Sequence, residues 1–192
     1  MALNKFFLCC CLLLVCAPYV AAQDGKCALK LAQLKPAHEL YGMHLGMTLD
    51  QAKSLVPSLQ QGQTDELGFS TTSFSPDFNP QINKAAYAGV RTVTLEFLDG
   101  KLFSLWIGYN STFKWQTLEE FVPGMSEALG LPPGVWSPDS SRPTVECDDV
   151  ELTAQMIGQS PSLRLVDRRA RELWEQRRAD KAEKRSEKEE PK

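Results

Sequence analysis

Histidine and cysteine are scarce in this sequence, and their scarcity excludes several kinds of site. The only histidines are His38 and His44, and no Gly-x-Ser-x-Gly elbow accompanies them, so a serine-hydrolase triad is not indicated. Two cysteines, Cys27 and Cys147, lie outside the apolar N-terminal segment, and they lack the spacing of zinc ligands. The sequence therefore predicts no catalytic residues, no metal site and no bound cofactor.

The N-terminal segment has the three parts of a secretory signal. Lys5 supplies a positive charge, Phe6–Val15 is an unbroken apolar run, and Val20-Ala21-Ala22 offers small residues for cleavage before Gln23. An uncleaved anchor is the alternative, but the segment from Phe6 to Ala22 is marginal for a bilayer about 30 Å thick. We expect residues 1–22 to be a signal peptide, which leaves no transmembrane span and an exported protein, periplasmic or secreted.

Cleavage would also remove most of the cysteines. Those removed are Cys9, Cys10, Cys11 and Cys16. Because two cysteines that remain in an oxidising compartment tend to pair, we predict a disulfide between Cys27 and Cys147. The alternative is two unpaired thiols.

The rest of the chain divides by charge. Residues 23–163 carry 9 basic and 16 acidic residues, whereas residues 164–192 carry 11 basic and 8 acidic ones. We predict a single domain over residues 23–166 and a charged C-terminal helix or tail over 167–192. Val166, Ala170, Leu173 and Trp174 have helical spacing and could dock the start of that helix, with residues beyond about 178 left solvated. Nucleic acid is not expected as a partner, because the net positive charge is small.

A glycine beside a threonine, at Gly46-Met47-Thr48, could open either a phosphate-binding loop or an ordinary helix. The Gly-Lys-Ser/Thr ending of a phosphate loop is missing. Thr48 and Gln51 instead have the spacing of a capping box, and Leu49, Ala52, Leu55 and Val56 form one apolar face. The stretch therefore predicts a helix that ends near Pro57.

The same construction recurs at Thr117-Leu118-Glu119-Glu120. An apolar face follows, and Gly130 is predicted to cap the helix. Pro123 removes one internal hydrogen bond, so we expect a kink or a broken first turn there. Because strand-like sequence follows both helices, the pattern hints at two related halves, each a helix and then strands.

Two β-rich segments, Val90–Leu98 and Leu102–Tyr109, bracket Asp99-Gly100 and predict a hairpin. A two-residue turn would place the apolar alternation of one strand opposite the polar alternation of the other. We therefore predict a three-residue loop, with Gly100 left-handed and Leu95 opposite Phe103.

Trp106 then points to the polar face of the hairpin. Cover by a loop or by the C-terminal helix would explain it. The functional alternative is an exposed contact surface, with Tyr109, Trp115 or Trp136 nearby.

Further strands are predicted at Phe69–Phe74, Val145–Cys147, around Val150–Ile157, and near Leu163 and Leu165. The order of elements indicates an α+β fold, an antiparallel sheet with helices packed on one face plus the charged C-terminal helix.

Leu45-Gly46-Met47-Thr48, with Gln51 and Leu55 after it, resembles the helix opening of small exported bacterial α+β proteins. That group includes the small lipoprotein of the outer-membrane barrel-assembly machine and the β-lactamase inhibitor proteins. The resemblance implies a bacterial envelope or secreted setting and a binding role. The lipoproteins of the group carry a lipid-attachment motif that this chain lacks, because Cys16 and Cys27 do not follow small residues.

Two functions from different classes remain. The first is a non-catalytic binding or envelope-assembly module, whose partner would be another protein or an envelope component. The second is a secreted enzyme with an unrecognised carboxylate site. The adjacent acids Asp148-Asp149 are the obvious carboxylates, but neighbours in a strand point to opposite faces, so we predict a tight turn there rather than an acid pair.

Overall fold

The computed structural model describes residues 40–60, 62–138 and 141–189. The predicted signal peptide, Cys27 and His38 lie outside these ranges, so the cleavage, the domain start and the predicted disulfide stay predictions. Cys147 itself is buried. No helix in the described ranges is both long enough and apolar enough to cross a membrane.

The elements follow the predicted order. The helices are α1 (Leu49–Leu55), α2 (Leu118–Leu129) and α3 (Arg168–Glu189), with a short 3-10 turn at Pro76–Phe78. The strands are β1 (Phe69–Phe74), β2 (Val90–Leu98), β3 (Lys101–Tyr109), β4 (Thr144–Glu146), β5 (Val150–Ile157) and β6 (Ser160–Asp167). The six strands form one antiparallel sheet in the order β1-β2-β3-β6-β5-β4. The predicted α+β class is confirmed.

Local sequence sets the starts of α1 and α2. The Thr48 hydroxyl accepts from the Gln51 amide while the Gln51 side chain accepts from the Thr48 amide, which completes the predicted capping box. Gly46 takes a positive φ of 81° just before it, as the sharp turn requires. Thr117 caps α2 by accepting from the Glu120 amide, and Gly130 ends the helix in the left-handed conformation, as predicted. The predicted capping box is only half present, because the Glu120 carboxylate accepts from the Gln116 amide and not from the Thr117 amide.

Pro123 does not break α2. The helix runs unbroken from Leu118 to Leu129 with Pro123 inside it, so of the two expected outcomes, a kink or a broken first turn, the broken turn does not occur. The lost hydrogen bond is tolerated because the apolar face of the helix is fully used: Phe121, Met125 and Leu129 are all buried in the core.

The main core lies between one face of the sheet, here called the core face, and helices α1 and α2. Alternate strand residues point into it, and they include Val93, Leu95, Leu105, Ile107, Leu152, Ala154, Leu163 and Leu165, all at most 2 % exposed. Complete burial of these side chains on a single face fixes the register, because a slip of one residue would turn all of them outward.

The predicted register of the β2–β3 hairpin was wrong in detail. Asp99 and Gly100 both have positive φ and form a two-residue turn, with Leu98 opposite Lys101. A bulge in β3 restores the match between the apolar faces of the two strands. Phe97 pairs with Leu102 and Glu96 with Ser104, so Phe103 between them is left unpaired. Leu95 therefore faces Leu105 rather than Phe103. The two apolar faces join as expected, but the extra residue lies in the strand and not in the loop.

The unpaired residue, Phe103, belongs to the opposite side of the sheet, here called the outer face. The centroid of its ring lies 6.2 Å from the ring centroid of Phe69 and 6.1 Å from that of Trp174. Trp174 in α3 stacks on Phe69 at 5.1 Å, and Leu98 and Val166 are buried outside the main core. Helix α3 thus covers one end of the outer face over a small second core.

Ion pairs extend the attachment of α3. Arg177 makes a two-pronged contact with Asp99 (2.7 and 2.9 Å), and Arg171 makes one with Glu151 (both 2.8 Å). Lys181 pairs with Glu66 at the surface. Docking of the start of the helix is confirmed through Trp174, but the expectation for Leu173 was wrong, since its side chain is 42 % exposed.

The two halves of the described chain repeat the same order of elements. α1-β1-β2-β3 and α2-β4-β5-β6 each consist of a helix followed by three antiparallel strands, and each ends in a hairpin with a two-residue turn. In the sheet order β1-β2-β3-β6-β5-β4 the second half reverses the first, so the halves are related by a pseudo-twofold axis between β3 and β6. The predicted pair of α-then-β halves is present in the topology.

Candidate binding site on the outer face of the sheet

The pseudo-twofold axis passes through the cross-strand pair Trp106 and Arg164. Five residue pairs join β3 to β6, from Ser104 opposite Val166 to Gly108 opposite Ser162, and Trp106 opposite Arg164 is the middle one. The axis exchanges the strands, so each residue of this central pair is the other's counterpart.

The neighbouring outer-face positions obey the same symmetry. Thr94 pairs with Trp106 just as Thr153 pairs with Arg164, and Glu96 pairs with Ser104 just as Gln155 pairs with Ser162. The counterparts are therefore Thr94 and Thr153, Glu96 and Gln155, Ser104 and Ser162. The bulge in the first hairpin is the only offset needed to align them.

These counterparts enclose a pocket of about 270 Å³, here called the dyad pocket. Its lining residues are Thr94, Glu96, Trp106, Arg142, Thr153, Gln155 and Arg164. Six of these seven residues form three symmetry-related pairs, which are Thr94 with Thr153, Glu96 with Gln155, and Trp106 with Arg164. Its position follows from the fold, because α3 covers the other end of the outer face while α1 and α2 occupy the core face.

Trp106 forms part of the pocket on the central strand β3. It is half-buried, and the benzo end of its indole lies over Gly108, where a Cβ would come within 2.7 Å of the ring. Glycine at that position therefore lets the indole lie along the strand. The C-terminal helix does not cover Trp106: the α3 tryptophan contacts Phe69 and Phe103 instead.

Arg164 is held by two groups within the site. Its Nη2 lies 3.1 Å from Glu96 Oε2, and its Nε donates to the Ser104 hydroxyl at 3.3 Å. The guanidinium thus bridges β6, β3 and β2, and the Glu96 carboxylate compensates its charge.

Four of the other polar side chains of the pocket are not used internally. Thr94, Thr153, Gln155 and Trp106 make no side-chain hydrogen bond to any other residue in the described ranges.

The predicted contact surface of four aromatic residues does not form. Tyr109 is fully buried, stacked at 4.0 Å on Phe113 beneath α2, so its inclusion in an exposed surface was wrong. Trp115 lies on the helix side, where its ring occupies the space above Gly124 of α2. Of these four aromatic residues, Trp106 alone points to the outer face, because its position on β3 has outer-face parity whereas that of Tyr109 has core-face parity.

Trp136 lies in a different place again. It donates from Nε1 to the Ser126 hydroxyl at 2.7 Å and borders an open, mainly apolar groove of about 300 Å³ beside α2. The groove is lined by Leu118, Glu119, Val122, Pro123, Trp136, Ser137, Pro138 and Pro143.

The carboxylates do not assemble into an acid pair. Asp148 and Asp149 form the predicted turn between Cys147 and Val150, where Asp149 pairs with Arg169 at 2.8 Å. A hydrogen bond from Arg171 holds the pKa of Glu151 below its usual value, and one from Arg177 does the same for Asp99. Both shifts run opposite to what a general acid needs. The described residues contain no group of three potential metal ligands.

Sequence reasoning found Trp106 but missed the residues that β5 and β6 bring to it. A signal for them exists in the internal repeat: Thr94-Leu95-Glu96 recurs as Thr153-Ala154-Gln155, and Ser104-Leu105-Trp106 as Ser162-Leu163-Arg164. Comparison with known proteins found no matching family model, no similar curated protein and no similar solved structure.

Proposed function

We propose that this protein is an exported, non-catalytic binding module, and that it holds its partner on the outer face of the sheet at the dyad pocket. The observation that carries the proposal is the position of Trp106. A large aromatic side chain lies half-exposed at the centre of a six-stranded sheet, in a pocket whose other walls are polar. Tryptophan in such a setting is a common anchor of binding sites.

The rest of the fold supports this assignment by elimination within the described chain. The core face is filled by α1 and α2, and the far end of the outer face is filled by Trp174 of α3. The dyad pocket is the part of the central strands that these helices leave open.

The exported setting rests on the predicted signal peptide of residues 1–22 and on the predicted pairing of Cys27 with Cys147. A partner in that setting is another exported protein or a component of the cell envelope.

Affinity capture with the mature chain as bait tests the proposal. Trp106→Ala should reduce the captured partner by about tenfold or more, as removal of a tryptophan anchor does. Phe78→Ala is the matched control, because it removes an aromatic side chain that is 89 % exposed but lies outside the pocket. Equal capture by the wild-type and Trp106→Ala baits would contradict the proposal. Thermal melts of each bait would show that it is folded.

A further inference from the structure

The dyad pocket presents hydrogen-bonding groups of both kinds in a small volume. The hydroxyls of Thr94 and Thr153 can donate and accept, the Gln155 amide offers both an oxygen and an NH2, and the Trp106 indole donates. None of these side chains is engaged by another residue in the described part of the chain. A ligand that satisfies them must itself carry both donors and acceptors, and hydroxyl groups supply both.

The charge around Arg164 is balanced by Glu96, while Arg142 adds a second arginine to the lining of the pocket. Arg164 would attract an anion if it stood alone, but Glu96 lies 3.1 Å from it and Ser104 accepts from its Nε. An anionic ligand would have to compete with the Glu96 carboxylate for this guanidinium. The Arg164–Glu96 pair thus favours a neutral ligand, to which it offers a planar donor and a planar acceptor side by side.

The aromatic wall sets the shape of the ligand. Trp106 provides a rigid apolar surface at one side of the pocket, fixed in place because its ring lies over Gly108. A ring with an apolar face and a polar edge can stack on the indole while its edge reaches the threonines and Gln155. The volume of about 270 Å³ is enough for one six-membered ring with its substituents.

We infer that the dyad pocket binds one neutral pyranose unit of a glycan, stacked on Trp106 and hydrogen-bonded by Thr94, Thr153 and Gln155. This inference names the ligand class for the proposed binding function and rests on it. Arg142 also lines the pocket, so an acidic sugar is the competing ligand that the experiment must separate.

Titration of the mature protein with three neutral oligosaccharides tests the inference. The probes are maltohexaose, cellohexaose and the fully N-acetylated chitohexaose. Binding is measured by tryptophan fluorescence and by saturation-transfer NMR. At least one should bind with a dissociation constant of about 1 mM, as the ligand efficiency of a hexose-sized group suggests.

Two variants locate the binding. Trp106→Ala should remove detectable binding, and Thr153→Val, which replaces the hydroxyl by a methyl group of similar size, should weaken it by about tenfold. Phe78→Ala should bind like the wild type. Melting temperatures measured in parallel would separate loss of binding from loss of folding.

Three results would overturn the inference. They are the absence of saturable binding by all three probes at about 20 mM, equal binding by Trp106→Ala, and, in a parallel titration with the two monosaccharides, tighter binding of glucuronic acid than of glucose. Partner capture that depends on Trp106 but is not displaced by any of the sugars would refute the glycan while leaving the proposed binding function standing. Capture that is independent of Trp106 would refute the binding function itself.

Discussion

Replacement of Trp174 measures how strongly α3 is held on the outer face. Trp174→Ala removes the stack on Phe69 and the contact with Phe103. A fully buried tryptophan replaced by alanine costs about 3–5 kcal/mol, and Trp174 is half-buried, so we expect a loss of about 2–3 kcal/mol in the free energy of unfolding. For a chain of this size the melting temperature should fall by roughly 5–10 °C.

The conservative variant makes the test sharper. The indole Nε1 of Trp174 is buried and has no acceptor among the described residues. An unpaired buried N–H costs about 1–3 kcal/mol. Trp174→Phe keeps the stacking and removes the unpaired group, so its free energy of unfolding should lie within about 1 kcal/mol of the wild type or above it.

Urea unfolding followed by circular dichroism gives both free energies. Leu173→Ala is the matched control, because Leu173 is the adjacent apolar residue of α3 and is 42 % exposed. It should change the free energy by about 0.5 kcal/mol or less. If Trp174→Phe is as destabilising as Trp174→Ala, the reasoning about the unpaired indole nitrogen is refuted. If Trp174→Ala does not change stability, the ring contacts of Trp174 do not stabilise the attachment of α3.

Three further outcomes follow from the same contacts. Truncation after Arg178 should lower the free energy of unfolding by at most about 1 kcal/mol, because the ion pair that it removes is exposed. Truncation before Ala170 should lower the melting temperature clearly, and equal effects of the two truncations would contradict the docking of α3. The two carboxylates held by α3 arginines have lowered pKa values, so the stability they contribute should be present above the ordinary carboxylate pKa and be lost as pH falls below about 4; a melting temperature independent of pH between 5 and 3 would contradict this. Thiol labelling of the exported, denatured, unreduced protein should find neither Cys27 nor Cys147 reactive, and two reactive thiols would rule out the disulfide.

The starts of the helices and the positions of the strands could be predicted because their causes are local. The contacts that open α1 join Thr48 to Gln51, three residues away, and the same is true of Thr117 and Glu120 in α2. Strand alternation is equally local, since successive side chains point to opposite faces whatever their partners are. The odd placement of Trp106 on a polar face followed from the same parity.

Three features could not be predicted, because each depends on residues far apart in the chain. They are the bulge, the dyad pocket and the position at which α3 packs on the sheet. The parity conflict of the hairpin has two local solutions, a three-residue loop or a bulge, and the sequence near Asp99 does not choose between them. The structure has the bulge. As the bulged residue, Phe103 lies on the outer face, where its ring contacts Trp174 of α3.

The pocket depends on long-range pairing in the same way. Sequence alone determined that Trp106 leaves the core of its own hairpin. Only the pairing of β3 with β6 placed Arg164 opposite it and brought Thr153 and Gln155 to its side. Strand order in a sheet is set by which faces can be buried together, and that is a property of the whole core rather than of any one segment.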